Sequence, residues 1–232
     1  MRFADAWVSD AFWLAATVAA YVAARALYRR RPVWWLSPLL VAPTLLLGLA
    51  LGARVGYGDY FHATHWLMLA LGPATVAFAL PIYEHRTVIR RNWPVLIIGV
   101  AAGSAIAMTS AWGLSSLFGL SESLRLSLLP RSMSMPFALI VAGDIGGVPD
   151  LTAVFVVVTA VVGVAMGEVL LKWLPLKSAL ARGSLFGMGA HGAGVAKATE
   201  IGGEEGSIAG LVMILSGVAN VLAAPLVVFL LR

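Results

Sequence analysis

The chain has 232 residues, 60% of them hydrophobic and only 12% charged, with a net charge of +5 and no cysteine. Charge runs at roughly half the level of about 25% usual in a soluble domain, and the lack of cysteine excludes disulfides, thiolate nucleophiles and Cys-ligated metals. The pI near 10.0 and mean hydropathy of +0.91 fit a polytopic α-helical membrane protein with basic residues between its spans, and no nucleic-acid partner is expected.

Apolar stretches near the ~20 residues that cross a bilayer as a helix occur at 11–28, 33–53, 66–83, 93–117, 151–171 and about 207–231. The first lacks a basic leader and a small-residue cleavage site, so it reads as a retained span rather than a signal peptide. Arg25, Arg29, Arg30 and Arg31 follow it; Arg86, Arg90 and Arg91 form a second basic cluster, and Lys172, Lys177 and Arg182 a third. Placing all three clusters in the cytoplasm demands an even number of crossings between them. Residues 128–147 must then dip in and return on the outer side, and residues 183–202 on the inner side, with both termini outside. The rival count lets 128–147 cross fully and strands the third cluster outside.

A short repeat favours the first topology. "DIGGVPDLTA" begins at Asp144 and "EIGGEEGSIA" at Glu200, 56 residues on. In each, an acid precedes Ile-Gly-Gly, another acid follows, and a long apolar span comes next. Repeat units of about 128–172 and 183–231 would enter from opposite sides, the inverted arrangement of many secondary transporters. The expected fold is thus all-α, with about six transmembrane helices and two broken re-entrant segments. Residues 1–65 would form an N-terminal scaffold or oligomerisation region and 66–232 the transport core. The helical parts, 133–145 and 189–201, are each about 20 Å long, too short for a hydrocarbon core of ~30 Å. Gly146 and Gly147, with Gly202 and Gly203, are the expected caps and hinges, Gly146 and Gly202 at positions that tolerate positive φ. Glu204 and Glu205 suit the opening turn of the last span.

Gly187, Gly189 and Gly192 fit G-x-G-x-x-G, but no strand precedes them and no βαβ unit surrounds them, so a dinucleotide is not expected. Irregular backbone at membrane depth instead packs within protein or lines a wet cavity. Gly192 and Gly194 expose amides or give close helix contacts. His191 is either a cavity residue able to carry a proton or a hydrogen-bonded interhelical histidine. Lys197 and Glu200 either bind substrate and proton or pair with each other at i,i+3. Arg131, Ser132 and Ser134 suit a carboxylate and a hydroxyl, or else form an interfacial cap. Asn220 hydrogen-bonds across helices or lines the path. Asp144 and Asp150 read as loop-end caps, Glu168 as an ion-pair partner of Lys172, and His62 and His65 as part of an outer aromatic belt. No metal site, cofactor or enzymatic nucleophile–base pair is expected.

"LGPATVAFALPIY" (71–83), "SLLPRSMSMPFAL" (127–139), "IGGVPDLTAVFVVVTAVVG" (145–163) and "ARGSLFGMGAHGAGVAKATEIGGEEGSIAGL" (181–211) resemble, in order, the LrgB family. That family includes CidB and the plastid-envelope glycolate/glycerate transporter. The resemblance implies a multi-pass protein of the bacterial cytoplasmic membrane, a homodimer by analogy of fold, and transport of small monocarboxylates such as pyruvate, glycolate, glycerate or lactate. It equally implies the family's other role, an antiholin-like regulator of murein hydrolase export and autolysis beside a small holin-like partner. Departures fall in the site: where relatives read P-K-S-V-T-T-P this chain has "PRSMSMP", with Met135 for a threonine. Ala190–His191 and Ala196–Lys197 replace Ser-His and Ala-Arg.

Overall fold

The computed structural model describes residues 2–31, 33–70, 72, 73, 76 and 79–231. Among them every regular element is helical, as an apolar chain in lipid requires when each backbone group must be satisfied within its own segment. Among the described residues four helices are long and apolar enough to cross a membrane: Ser9–Arg30, Arg86–Leu117, Pro149–Trp173 and Gly203–Val227. A fifth is formed if Pro38–Ala53 and Tyr57–Ala63, bent by 117°, count as one. The sixth stretch expected from sequence, 66–83, lies partly outside the described residues.

The chain divides into two compact units, Met1–Val76 and Ala77–Arg232. In the first, α1 (Arg2–Arg30) packs against α2 (Pro38–Ala53) and α3 (Tyr57–Ala63), and α4 (His65–Leu69) follows. Ser37 caps α2 by accepting from the Leu39 N–H at 3.4 Å, with Pro38 in the first turn where its missing donor costs nothing. Trp13 is buried edge-on to Tyr60, whose hydroxyl lies 3.0 Å from Thr17 Oγ1. His62 lies in α3 and His65 in α4.

In the second unit, α5 (Ala79–Glu84) leads into α6 (Arg86–Leu117), which leaves helical geometry at Asn92, two residues before Pro94. Then come α7 (Glu122–Leu128), a 3₁₀ turn (Leu129–Ser132), α8 (Met135–Ile145), α9 (Pro149–Trp173), α10 (Ala179–Ile201) and α11 (Gly203–Leu231).

Two hairpins organise this unit. The first runs inward along α7 and the 3₁₀ turn, reverses at 132–134 and returns along α8. Val148 N–H donates to Ser127 Oγ at 2.8 Å, and Thr152 Oγ1 donates to the Ser127 carbonyl at 2.9 Å. The two ends of 128–147 therefore meet. Gly146 ends α8 at φ 87°, and Gly147 N–H bonds the Ala142 carbonyl at 2.8 Å, a Schellman closure. Gly147 backs onto the Leu126–Ser127 main chain, where a Cβ would come within 3.0 Å.

The second hairpin is α10 folded on itself at His191. Gly194 packs against the carbonyl of Phe186, eight residues away and about 12 Å distant in a continuous helix. Gly202 caps its end with φ −176°. That is extended backbone open to any residue, so the positive φ expected at this glycine is not what places it there. Shifting Ser127 and Thr152 by 56 gives Gly183 and Ile208, which also meet: a Cβ on Gly183 would lie 2.8 Å from Ile208.

The hairpins approach from opposite ends of α9. Thr152, near its start, bonds the base of the first. Gly163 lies against Gly189 and Ala190 at the tip of the second, Gly167 against the Phe186 ring, and Leu171 against the Phe186–Ala198 cluster. Helix α11 follows the same axis, with Ala209 beside Gly187, Gly217 beside Phe137, and Ala224 in the apolar cluster of Phe137, Val141 and Ile145. The tips consequently face each other near the middle of the unit.

Candidate functional site

At the first tip, two extended residues reverse the chain: Met133 at φ −114°, ψ 162° and Ser134 at φ −68°, ψ 149°. Met133 is fully buried among Leu129, Phe137 and Ala138, and this anchors the turn. Pro136 sits in the first turn of α8, where no donor is lost to the helix. Met135 packs half-buried on the same apolar cluster. Ser132 and Ser134 are both buried, and neither hydroxyl has a hydrogen-bond partner. Ser134 occupies an N-cap position without making the cap bond, unlike Ser178, whose hydroxyl accepts from Ala181 N–H at 3.1 Å. Its oxygen is thus left for something else.

At the second tip, His191 adopts φ 48°, ψ −128°, a region glycine enters freely and a β-carbon resists. Such a conformation costs on the order of 1–3 kcal/mol and persists only where its surroundings impose it. The side chain is 3% exposed, and neither Nδ1 nor Nε2 has a hydrogen-bond partner. The Ser132 main chain lies beside the ring, out of bonding geometry, and the Arg131 charge is near enough to act on it. Arg131 is half-buried and forms no ion pair among the described residues. The glycines around the tip divide by role. Gly194 is buried in the fold-back itself, whereas Gly192 is exposed with nothing within 4 Å of where a Cβ would stand, as is the space beside Gly189.

Arg131, Ser132, Ser134 and His191 are therefore brought together, and Gly192 borders them. Two helix starts accompany them, that of α8 at Met135 and that of the half-helix resuming at Gly192. Each leaves unpaired N–H groups and a partial positive charge. A cation, hydroxyls, an imidazole and aligned amides form a donor set for a small oxyanion.

Other expected residues lie elsewhere. Lys197 bonds Glu168 of α9 at 2.7 Å and Glu200 at 3.1 Å. The Glu168 partner is thus Lys197 across the helices and not Lys172 along its own. Glu200 is exposed and stands about 14 Å along the half-helix from His191. Asn220 spends its Nδ2 hydrogens on Ser104 Oγ at 3.0 Å and the Ser216 carbonyl at 2.8 Å, bolting α11 to α6. Asp144 and Asp150 are exposed near the base of the first hairpin, Asp150 in the first turn of α9. Ser104 escaped sequence reasoning because a serine among the small residues of "AAGSAIAM" carries no distinguishing pattern. The anchoring Met133 and the Ser127–Thr152 bond escaped it too, being tertiary.

A family model described as the LrgB-like family matches residues 17–230. The chain belongs to the LrgB-like family. It is 40% identical over 209 residues to the uncharacterized protein YwbG of Bacillus subtilis (strain 168), covering 90% of this chain and 93% of that one. It is 30% identical over 228 residues to the antiholin-like protein LrgB of the same organism, covering 97% of each. The holin-like protein CidB of Staphylococcus aureus (strain N315) is 27% identical over 214 residues, 92% of this chain and 93% of that one. No solved structure matches. With four or five apolar helices of crossing length, this member of the LrgB-like family is a multi-pass membrane protein.

Proposed function

We propose that this protein is a secondary transporter of small monocarboxylates in the bacterial cytoplasmic membrane, its substrate crossing chemically unchanged. The observation that carries the reading is the meeting of two hairpin tips at which four buried polar atoms, on Ser132, Ser134 and His191, lack partners beside the unpaired Arg131. Each such group costs about 1–3 kcal/mol when left unsatisfied, and a ligand carboxylate with a second oxygen satisfies them together. Hairpins that reach this point from opposite ends of α9 are what an inverted repeat of 128–172 and 183–231 entails. They also suit alternating exposure of a midplane site. His191 is the group placed to carry a proton with the substrate.

A second reading, a membrane regulator of autolysis acting with a small holin-like partner, is favoured by the names of two relatives, the antiholin-like protein LrgB and the holin-like protein CidB. Uptake into proteoliposomes separates the two. Labelled pyruvate, glycolate, glycerate and lactate are offered with and without a pH gradient, and accumulation of at least one is the expected result. No uptake of any, with altered autolysis in cells lacking the protein, would establish the regulatory reading instead.

A further inference from the structure

A cavity of about 500 Å³ lies away from the polar tips, between α6 and the first half of α10, with Leu96, Val100, Leu176, Leu180, Leu185 and Met188 among its apolar lining. Several cations neighbour its lining residues along the chain. Lys177 falls between two lining residues, Leu176 and Ser178, and Lys172 lies two positions before lining Leu174. Both are exposed, and neither forms an ion pair among the described residues. Arg90 and Arg91, likewise exposed and without an ion pair among the described residues, precede lining Val95 by a few residues, across the break at Asn92. Arg182, by contrast, is committed, donating to the Leu176 carbonyl at 2.9 Å and facing Glu205 at 3.7 Å.

We propose that this groove holds one acyl chain of an anionic phospholipid, with the headgroup phosphate at Lys177 and Lys172. A free phosphate has no use for an apolar slot this size, and a neutral lipid has none for the uncommitted lysines. Only an amphipathic anion answers both. Basic sites between helices on the positively charged side of a membrane protein select such headgroups. The chain end reaches Met188, which rests on Gly103 and stands three residues before His191. Occupancy therefore braces the second hairpin against α6. The inference does not depend on transport being the protein's activity.

The test is native mass spectrometry of the purified full chain offered equal amounts of phosphatidylglycerol and phosphatidylcholine. Phosphatidylglycerol should be retained in excess, and Lys177→Gln should lower that excess about fivefold, the factor expected for one lysine at an anionic surface. Leu185→Trp, which fills the groove, should remove retention of both lipids. Equal retention by the unaltered protein, or an excess indifferent to Lys177→Gln, overturns the proposal. A photoreactive residue at position 185, crosslinked in native membranes, supplies an independent readout: a lipid adduct supports it. An adduct with a second copy or another polypeptide overturns it and marks the groove as a protein interface.

Discussion

His191 combines three unfavourable features in one residue: a backbone conformation suited to glycine, near-complete burial, and two ring nitrogens without partners. A stability-driven sequence would place glycine here, so the side chain is kept for what it does. His191→Gly should raise the thermal unfolding midpoint in detergent relative to His191→Ala, because alanine retains the β-carbon that creates the strain. With strain of about 1–3 kcal/mol, offset in part by the entropy glycine loses on folding, the expected difference is a few degrees for a chain this size. Both variants should lose carboxylate uptake. Equal midpoints would show that the backbone at 191 is unstrained. Arg131→Gln should likewise abolish uptake. Lys197→Gln, which removes partly exposed ion pairs worth at most about 1 kcal/mol each, should leave apparent affinity for the carboxylate within about twofold, since Lys197 is engaged with Glu168 and Glu200. A large rise in apparent KM for Lys197→Gln would return that lysine to the binding site.

The hairpins show which elements were readable from sequence and which were not. Long apolar runs and proline or glycine at helix ends made α9 and α11 legible, and the Schellman glycine at 146 followed from the same chemistry. A return within 183–202 followed from the charge pattern, but its position at His191 did not: locally that stretch is a glycine-rich helix, and only the contact of Gly194 with Phe186, eight residues earlier, shows where the chain reverses. Pairings such as Glu168 with Lys197 failed for a similar reason. An i,i+4 rule sees one helix, and here the partner comes from the next. At the site, residue type pointed to Arg131, Ser132, Ser134 and His191, but burial and partnering had to separate them from Lys197 and Glu200. The fold-back also makes a stability prediction. Gly194→Ala thrusts a methyl into the Phe186 carbonyl and should destabilise by about 1–3 kcal/mol, as overpacking of a tight contact does. Gly192→Ala meets open space and should be nearly neutral. Comparable losses from both, measured by thermal unfolding, would mean that α10 does not close on itself as described.

At the scale of the whole unit, the contact between Ser127 and Thr152 and that between Gly183 and Ile208 are the same contact made twice, 56 residues apart. One joins the base of a hairpin to the start of α9, the other to the start of α11. Because α9 runs the length of the unit between them, the two bases lie at its opposite ends while the tips meet near its middle. Placed in a bilayer along the apolar faces of α9 and α11, this arrangement fixes one expectation about sidedness: Asp150 and Glu204, exposed at the two bases, face opposite compartments. The chain has no cysteine, so Asp150→Cys and Glu204→Cys each provide a single reporter without further substitution. In right-side-out vesicles a membrane-impermeant thiol reagent should label position 150 and spare 204. In inverted vesicles the pattern should reverse. The basic residues Lys172, Lys177 and Arg182 share the end where Glu204 lies, and the positive-inside bias assigns that end to the cytoplasm. Labelling of both cysteines from the same side would break the inverted arrangement, and with it the two-sided access on which transport depends, even if the tips still meet.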